Sequence, residues 1–393
     1  MLFPPIDPNE RFRERRAAAR RRVRLRRGAL IGALLAVVAV LGAGAQFVDR
    51  GSSTSEGRPQ NPTAVRVSSH GRAVALPVEV RGVHVSMGLA SLPGKLEQYL
   101  DLERDGLTAL ELDVKDEHGQ IGFTPRSVPL AREVGAARNF YSPREAVRLA
   151  HERGIYLIGR VVVFEDPTLA LARPDLAVHR SDGSVWRDDA GLAWVNPYDR
   201  RVWRYDVGIA EAAAEAGFDE ILFDYVRFPS DGNVADTMYA HRGTMTRQGV
   251  IPAFFEYAEH RLQPLGVHVS AAVFGLSATR DLGIGQVPRR IAPHVDAVYP
   301  MTYPSLFGPG ELGLTDPSAT PGETVSLALG DFRRALRGDA TLLVPWVQDF
   351  TLSRPFGSDQ VRAQIEAARL AGAKGYMLWN PEGVYSNGVL SAP

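Results

Sequence analysis

The sequence predicts an α/β fold: a (β/α)8 TIM-type barrel with insertions, preceded by one N-terminal transmembrane helix and a flexible linker. Three observations carry that prediction. Eight strand-like runs recur over about 310 residues, seven of them introduced by a helical stretch and a small or polar turn, and that alternation builds parallel βα units. After the first run, residues 80–93 lack the G-x-G-x-x-G loop that an open dinucleotide-binding sheet places there. Finally, the run at 218–232, F-D-E-I-L-F-D-Y-V-R-F-P-S-D-G, passes from apolar Ile221, Leu222 and Phe223 to Asp224 and leaves through a Pro-Ser-Asp-Gly turn. A strand interior holds an unpaired acid only at high cost, so Asp224 marks the open end of a strand.

The N-terminal elements come first. Ten arginines lie between Arg11 and Arg27, and residues 28–48 that follow carry no charge. Their length suits a bilayer span of about 20 residues. Basic residues before the span place the 1–27 tail in the cytoplasm and the bulk of the chain outside. The expectation is a signal anchor in contact with the lipid bilayer; the alternative is a signal peptide cleaved near Ala45, in Ala43-Gly44-Ala45. The arginines are accounted for by this anchor rather than by nucleic acid. Residues 49–77, rich in Gly, Ser, Thr, Pro and Arg, read as a tether, and 78–393 as the barrel. The chain has no cysteine, which removes disulfides, thiolate nucleophiles and Cys-ligated metals.

Within the domain, strands are predicted at 80–86, 108–115, 155–164, 221–223, 266–274, 294–302, 341–347 and 373–379. Helices are predicted at 93–104, 127–137, 143–153, 199–216, 248–263, 287–292, 320–337 and 358–371, with little chain left for an eighth βα helix after the last strand. Ser142 before Pro143 is an N-cap followed by proline at the first helical position. The polar stretch 165–197, with Trp186 and Trp194, reads as an insertion over the barrel mouth or its flank.

Barrel active sites form where the strands end. The ends carry His84; Asp113, Lys115 and Asp116; Arg160 and Glu165; Asp224, Tyr225 and Arg227; Tyr303; Trp346, Gln348 and Asp349; Trp379 and Asn380. Acids supply proton transfer and attack at an anomeric carbon, and flat rings stack on sugar faces, so this rim points to a polysaccharide or oligosaccharide. Plain structural roles compete throughout. Asp113 and Lys115 could pair, Asp116 is a turn residue by default, His84 suits a hydrogen-bonded core position, and Arg227 could neutralise Asp224. Metal-binding and serine-hydrolase motifs are absent from the sequence, and no cofactor is expected.

Several stretches together resemble a bacterial family of glycosyl hydrolase domains of uncharacterised function, related to the α-amylase type of barrel. They are R-G-V-H-V-S at 81–86, L-D-V-K-D-E-H-G at 112–119, F-D-Y-V-R-F-P-S-D-G at 223–232, V-F-G at 273–275, Y-P-M-T-Y-P-S at 299–305, P-W-V-Q-D-F at 345–350 and L-W-N at 378–380. The resemblance implies Asp224 as nucleophile or charge stabiliser and Asp349 as the second carboxyl. The strand-five general acid of amylase-type barrels is replaced by Ala272. The proton donor then falls to Asp349, Asp116 or Glu165, or the barrel binds carbohydrate without cleaving it.

Overall fold

The computed structural model describes residues 75–352 and 354–391. The tail, the apolar span at 28–48 and nearly all of the tether lie outside the described residues. Among the described residues no helix is long and apolar enough to cross a membrane.

Nine strands pair in parallel: β1 (Val80–Val85), β2 (Ala109–Lys115), β3 (Tyr156–Val162), β4 (Glu220–Asp224), β5 (His268–Phe274), β6 (Ala297–Met301), β7 (Leu342–Leu343), β8 (Trp346–Gln348) and β9 (Gly375–Trp379). β1 pairs with both β2 and β9, and β5 with both β4 and β6, so the sheet closes. β7 and β8 both pair with β6 and are two pieces of one stave, which makes the barrel eight-staved. The break falls at Val344 and Pro345; proline has no N–H to give the ladder, while its carbonyl accepts from Met377 N at 2.9 Å.

The outer layer holds α1 (Met87–Ala90), α2 (Lys95–Leu100), α3 (Pro129–Glu133), α4 (Pro143–His151), α5 (Pro167–Ala172), α6 (Arg200–Ala216), α7 (Arg247–Leu262), α8 (Pro288–Ile291), α9 (Pro321–Ala335) and α10 (Ser358–Leu370). Their starts follow local chemistry. Ser142 Oγ caps α4 by accepting from Glu145 N, and Asp199 caps α6 by accepting from Arg201 N. Gly217, at φ 108°, ends α6 in the left-handed conformation that glycine adopts without a Cβ clash. One predicted helix is cut short. The helix predicted at 127–137 shrinks to five residues, because Gly135 turns at φ 70° and Ala137 bridges Ile121. After β9 the described chain forms no helix, in line with the short stretch left for one. It folds back instead, burying Val389 and Leu390.

Strand alternation splits the core in two. Leu110, Leu112, Leu157, Ile221 and Phe223 face outward into the layer under the helices. Tyr156, Ile158, Leu222, Ala272, Tyr299 and Met377 fill the barrel interior. Beneath the strands' C-terminal ends the interior also holds a buried polar cluster, where Glu220 accepts from Tyr156 OH and Ser270 Oγ.

Candidate active site

The alternation that buries Ile158 and Leu222 also turns Arg160, Asp113 and Asp224 inward, one layer higher. Arg160 is the hub. Its Nη1 donates to Asp113 Oδ1 at 2.8 Å, and its Nε and Nη2 donate to Asp224 Oδ2 at 3.0 and 2.8 Å. Glu117 Oε2 lies 3.8 Å from Nη1, and Glu111 Oε1 lies 3.9 Å from Nε. The other oxygen of Asp224 accepts from Tyr225 N at 2.7 Å. His84 Nε2 lies 3.0 Å from Asp113 Oδ1, and its ring sits 4.3 Å from that of Trp379. The partner expected for Asp224 therefore changes. Arg160 neutralises it, whereas Arg227 donates to Phe228 O and Ser230 Oγ and lies between the Trp194, Tyr225 and Phe274 rings.

Burial and charge act on these carboxyls in opposite directions. Burial works against the charge on Asp113, but His84 and Arg160 outweigh it and hold the acid at about 2. Glu111, one layer deeper, is fully buried and neither of its oxygens makes a hydrogen bond. Burial pushes its carboxyl well above the usual range, and Arg160 only partly opposes this. Asp116 is raised to about 6 by burial and by its neighbours Glu117 and Asp113. His84, Glu111 and Asp113 also offer three donor atoms within 4.8 Å of one another. The cation among them is the guanidinium of Arg160, which a divalent ion would have to displace.

A cleft opens over this cluster. Arg160, Asp224, Glu117 and Tyr225 line it, with the rings of Tyr303, Trp346 and Trp379. Trp346 and Trp379 meet edge to face at 5.0 Å. Tyr225 adopts φ 52°, a left-handed conformation that is costly for a bulky residue, directly after the central acid. Trp186 and Trp194 are fully buried; their indole N–H groups donate to Asn233 O and Asp188 Oδ2, and they brace the 165–197 insertion against the β4 exit loop.

Of the residues predicted for the site, the cleft gathers Asp224, Tyr225, Arg160, Arg227, Tyr303, Trp346 and Trp379, with His84 and Asp113 supporting Arg160 from below. The others sit elsewhere. Lys115 is fully buried on the outer side, in ion pairs with Asp166 at 2.7 Å and with Asp206 of α6 at 2.6 Å. The β2–β3 register shifts between Asp113 and Lys115, which breaks the alternation and accounts for that orientation. Asp349 binds Ser386 through both oxygens, at 2.7 Å each, and does not line the cleft. Gln348 holds Ser305 and Phe350 O, and Asn380 holds Asp349 O and Glu382 N; both secure loops. Asp116 accepts from His118 N and Gln120 N in its turn. Glu165 is buried outside the cleft. Sequence reasoning missed Glu117, Glu111 and Gln286. Glu117 reads as an ordinary turn acid, and Glu111 as the polar side of an alternating strand.

A family model described as "Putative glycosyl hydrolase domain" matches residues 82–385. Among solved structures, the PgaB (BpsB) glycoside hydrolase domain from Bordetella bronchiseptica is 16% identical with TM-score 0.57, covering 78% of this chain and 95% of that one. The chitobiase FjGH20 from Flavobacterium johnsoniae is 12% identical with TM-score 0.51, covering 79% of this chain and 47% of that one. A hypothetical protein from Ruminiclostridium thermocellum ATCC 27405 is 35% identical, covers 48% of this chain and 96% of that one, and has TM-score 0.44. No curated protein matches. The first two likenesses show a shared barrel fold. With the family match running from β1 to the segment after β9, the chain belongs to this family of glycosyl hydrolase domains.

Proposed function

We propose that the chain is an extracytoplasmic glycoside hydrolase, tethered to the cell membrane through residues 28–48 and acting on a cell-envelope or extracellular polysaccharide. The observation that carries this reading is Asp224, fixed by Arg160 and by Tyr225 N at the base of an aromatic cleft that Glu117 also lines. In this reading Asp224 attacks, or stabilises, an oxocarbenium-like centre. Trp346, Trp379 and Tyr303 offer the faces on which a sugar ring stacks. The proton donor is Glu117. β5 carries only the buried Ala272 at its usual place, and Asp349 is engaged away from the cleft. Glu117 is half-buried and reaches the cleft beside Arg160, where it can meet a glycosidic oxygen.

Ala272 also favours a second reading, a barrel that binds carbohydrate without cleaving it. The two separate in one experiment. The full-length protein is incubated with a panel of envelope glycans, and new reducing ends are measured alongside glycan binding. Cleavage that falls at least about a hundredfold in Asp224→Asn and in Glu117→Gln supports the hydrolase. Binding without cleavage establishes the second reading, and equal cleavage by Asp224→Asn removes that acid from the mechanism.

A further inference from the structure

The cleft does not end at its polar wall. A second, open hollow joins it across Phe274, Met301 and Leu306, and is completed by Leu276, Leu282 and Phe307. The boundary is abrupt. On one face of the Phe274 ring lies the Arg227 guanidinium, 4.8 Å from the centroid; beyond the ring, the hollow's lining side chains are all apolar. The backbone at the end of β5 offers the hollow little polarity. Gln286 accepts from Phe274 N at 2.9 Å and donates to Ala272 O and Val226 O at 3.2 and 3.3 Å. Gly275 lets the β5 and β6 exits close together, since a Cβ there would lie 2.5 Å from Met301 O and 2.8 Å from the Phe307 ring.

A sugar unit in this hollow would lose water from its hydroxyls without finding partners, which is costly. A hydrocarbon chain loses nothing there and gains from burial. We propose that this hollow is a subsite for a linear alkyl or acyl chain carried by the sugar in the catalytic cleft, so that the substrate is an amphiphilic glycoside rather than a plain glycan. This inference rests on the glycosidase reading of the cleft and specifies the substrate of that same site.

The test uses full-length protein and paired methyl and hexyl glycosides of glucose, galactose, mannose and N-acetylglucosamine. Binding is read from tryptophan fluorescence, to which Trp346 and Trp379 in the cleft contribute. Full burial would favour the longer chain by about fourfold per methylene. The expected result is a hexyl-over-methyl preference of at least about tenfold for one or more sugars. That preference should collapse in Leu282→Asp, and in the milder Leu282→Ser, which keeps the test sound should the charged variant misfold. Equal binding of the two chain lengths, no binding of any hexyl glycoside, or a preference that survives both substitutions would overturn the proposal. Because the readout is binding, a chain preference without turnover counts against hydrolysis alone, and turnover without a chain preference counts against the subsite alone.

Discussion

Arg160 holds two acids by hydrogen bonds and approaches two more, so its loss would be felt across the whole cluster. Arg160→Met leaves Asp113 and Asp224 buried without their cation, and should cost ~3–5 kcal/mol in denaturant unfolding. Asp224→Asn should cost much less, because the amide oxygen still accepts from the guanidinium. The pH dependence has opposite signs at neighbouring acids. Asp113, held at about 2 against an ordinary 3.8, contributes stability that is complete above 3.8 and is lost as pH falls through about 2. Asp116, raised from 3.8 to about 6, works the other way. The unfolded chain ionises first, so stability falls as pH rises between those values. Asp116→Asn keeps the acceptor for His118 N and Gln120 N, and should flatten that decline in unfolding curves taken from pH 4 to 7. Much of this was legible in the sequence. An acid and an arginine at strand ends announce themselves because a strand interior tolerates neither alone. Lys115 misled because one register shift turns a side chain to the opposite face. Glu117 was overlooked because an acid in a turn has a sufficient local reason to be there.

At the scale of elements, two features hold the staves in place. Lys115, Asp166 and Asp206 clip β2 to the β3 exit and to α6 inside an apolar layer. Burial disfavours charge on both Lys115 and Asp206; the acids nevertheless hold Lys115 above its ordinary value, while Asp206 is left at about 7 despite the lysine. Lys115→Met should destabilise by ~3–5 kcal/mol, since it strands buried carboxyls, and should leave glycan binding intact in whatever fraction remains folded. The second feature is the seam between β1 and β9. A Cβ on Gly375, whose φ is 149°, would lie 2.0 Å from Val80 O. Gly375→Ala should therefore lower stability by at least ~1–3 kcal/mol. Gly330→Ala, in α9 with its nearest neighbour 3.5 Å away, should raise it by ~0.5–1 kcal/mol. Thermal melts of the pair measure both. Seven staves were legible as single runs with boundaries off by a few residues; the eighth was predicted whole because hydropathy does not register the missing N–H of Pro345.

For the whole molecule, formal charge balance conceals a division of labour: 45 basic and 45 acidic residues, with ten of the arginines gathered before the apolar run at 28–48. If that run is the anchor proposed above, removing residues 1–50 should shift the protein from the membrane pellet to the soluble fraction, with glycan binding retained. Closure of the barrel has a further consequence for synthesis. His84 of β1 is gripped through both its N and its O by Tyr385 OH, a contact 301 residues away in sequence. β1 is the first stave made, and one of its two neighbours, β9, is the last. Its outer edge must therefore wait, unpaired, for almost the entire domain to emerge, and the His84 backbone gains its Tyr385 contacts only when the final stretch arrives. Folding of this domain is bound to completion of the chain, and an interrupted product carries an open β edge available to any passing strand.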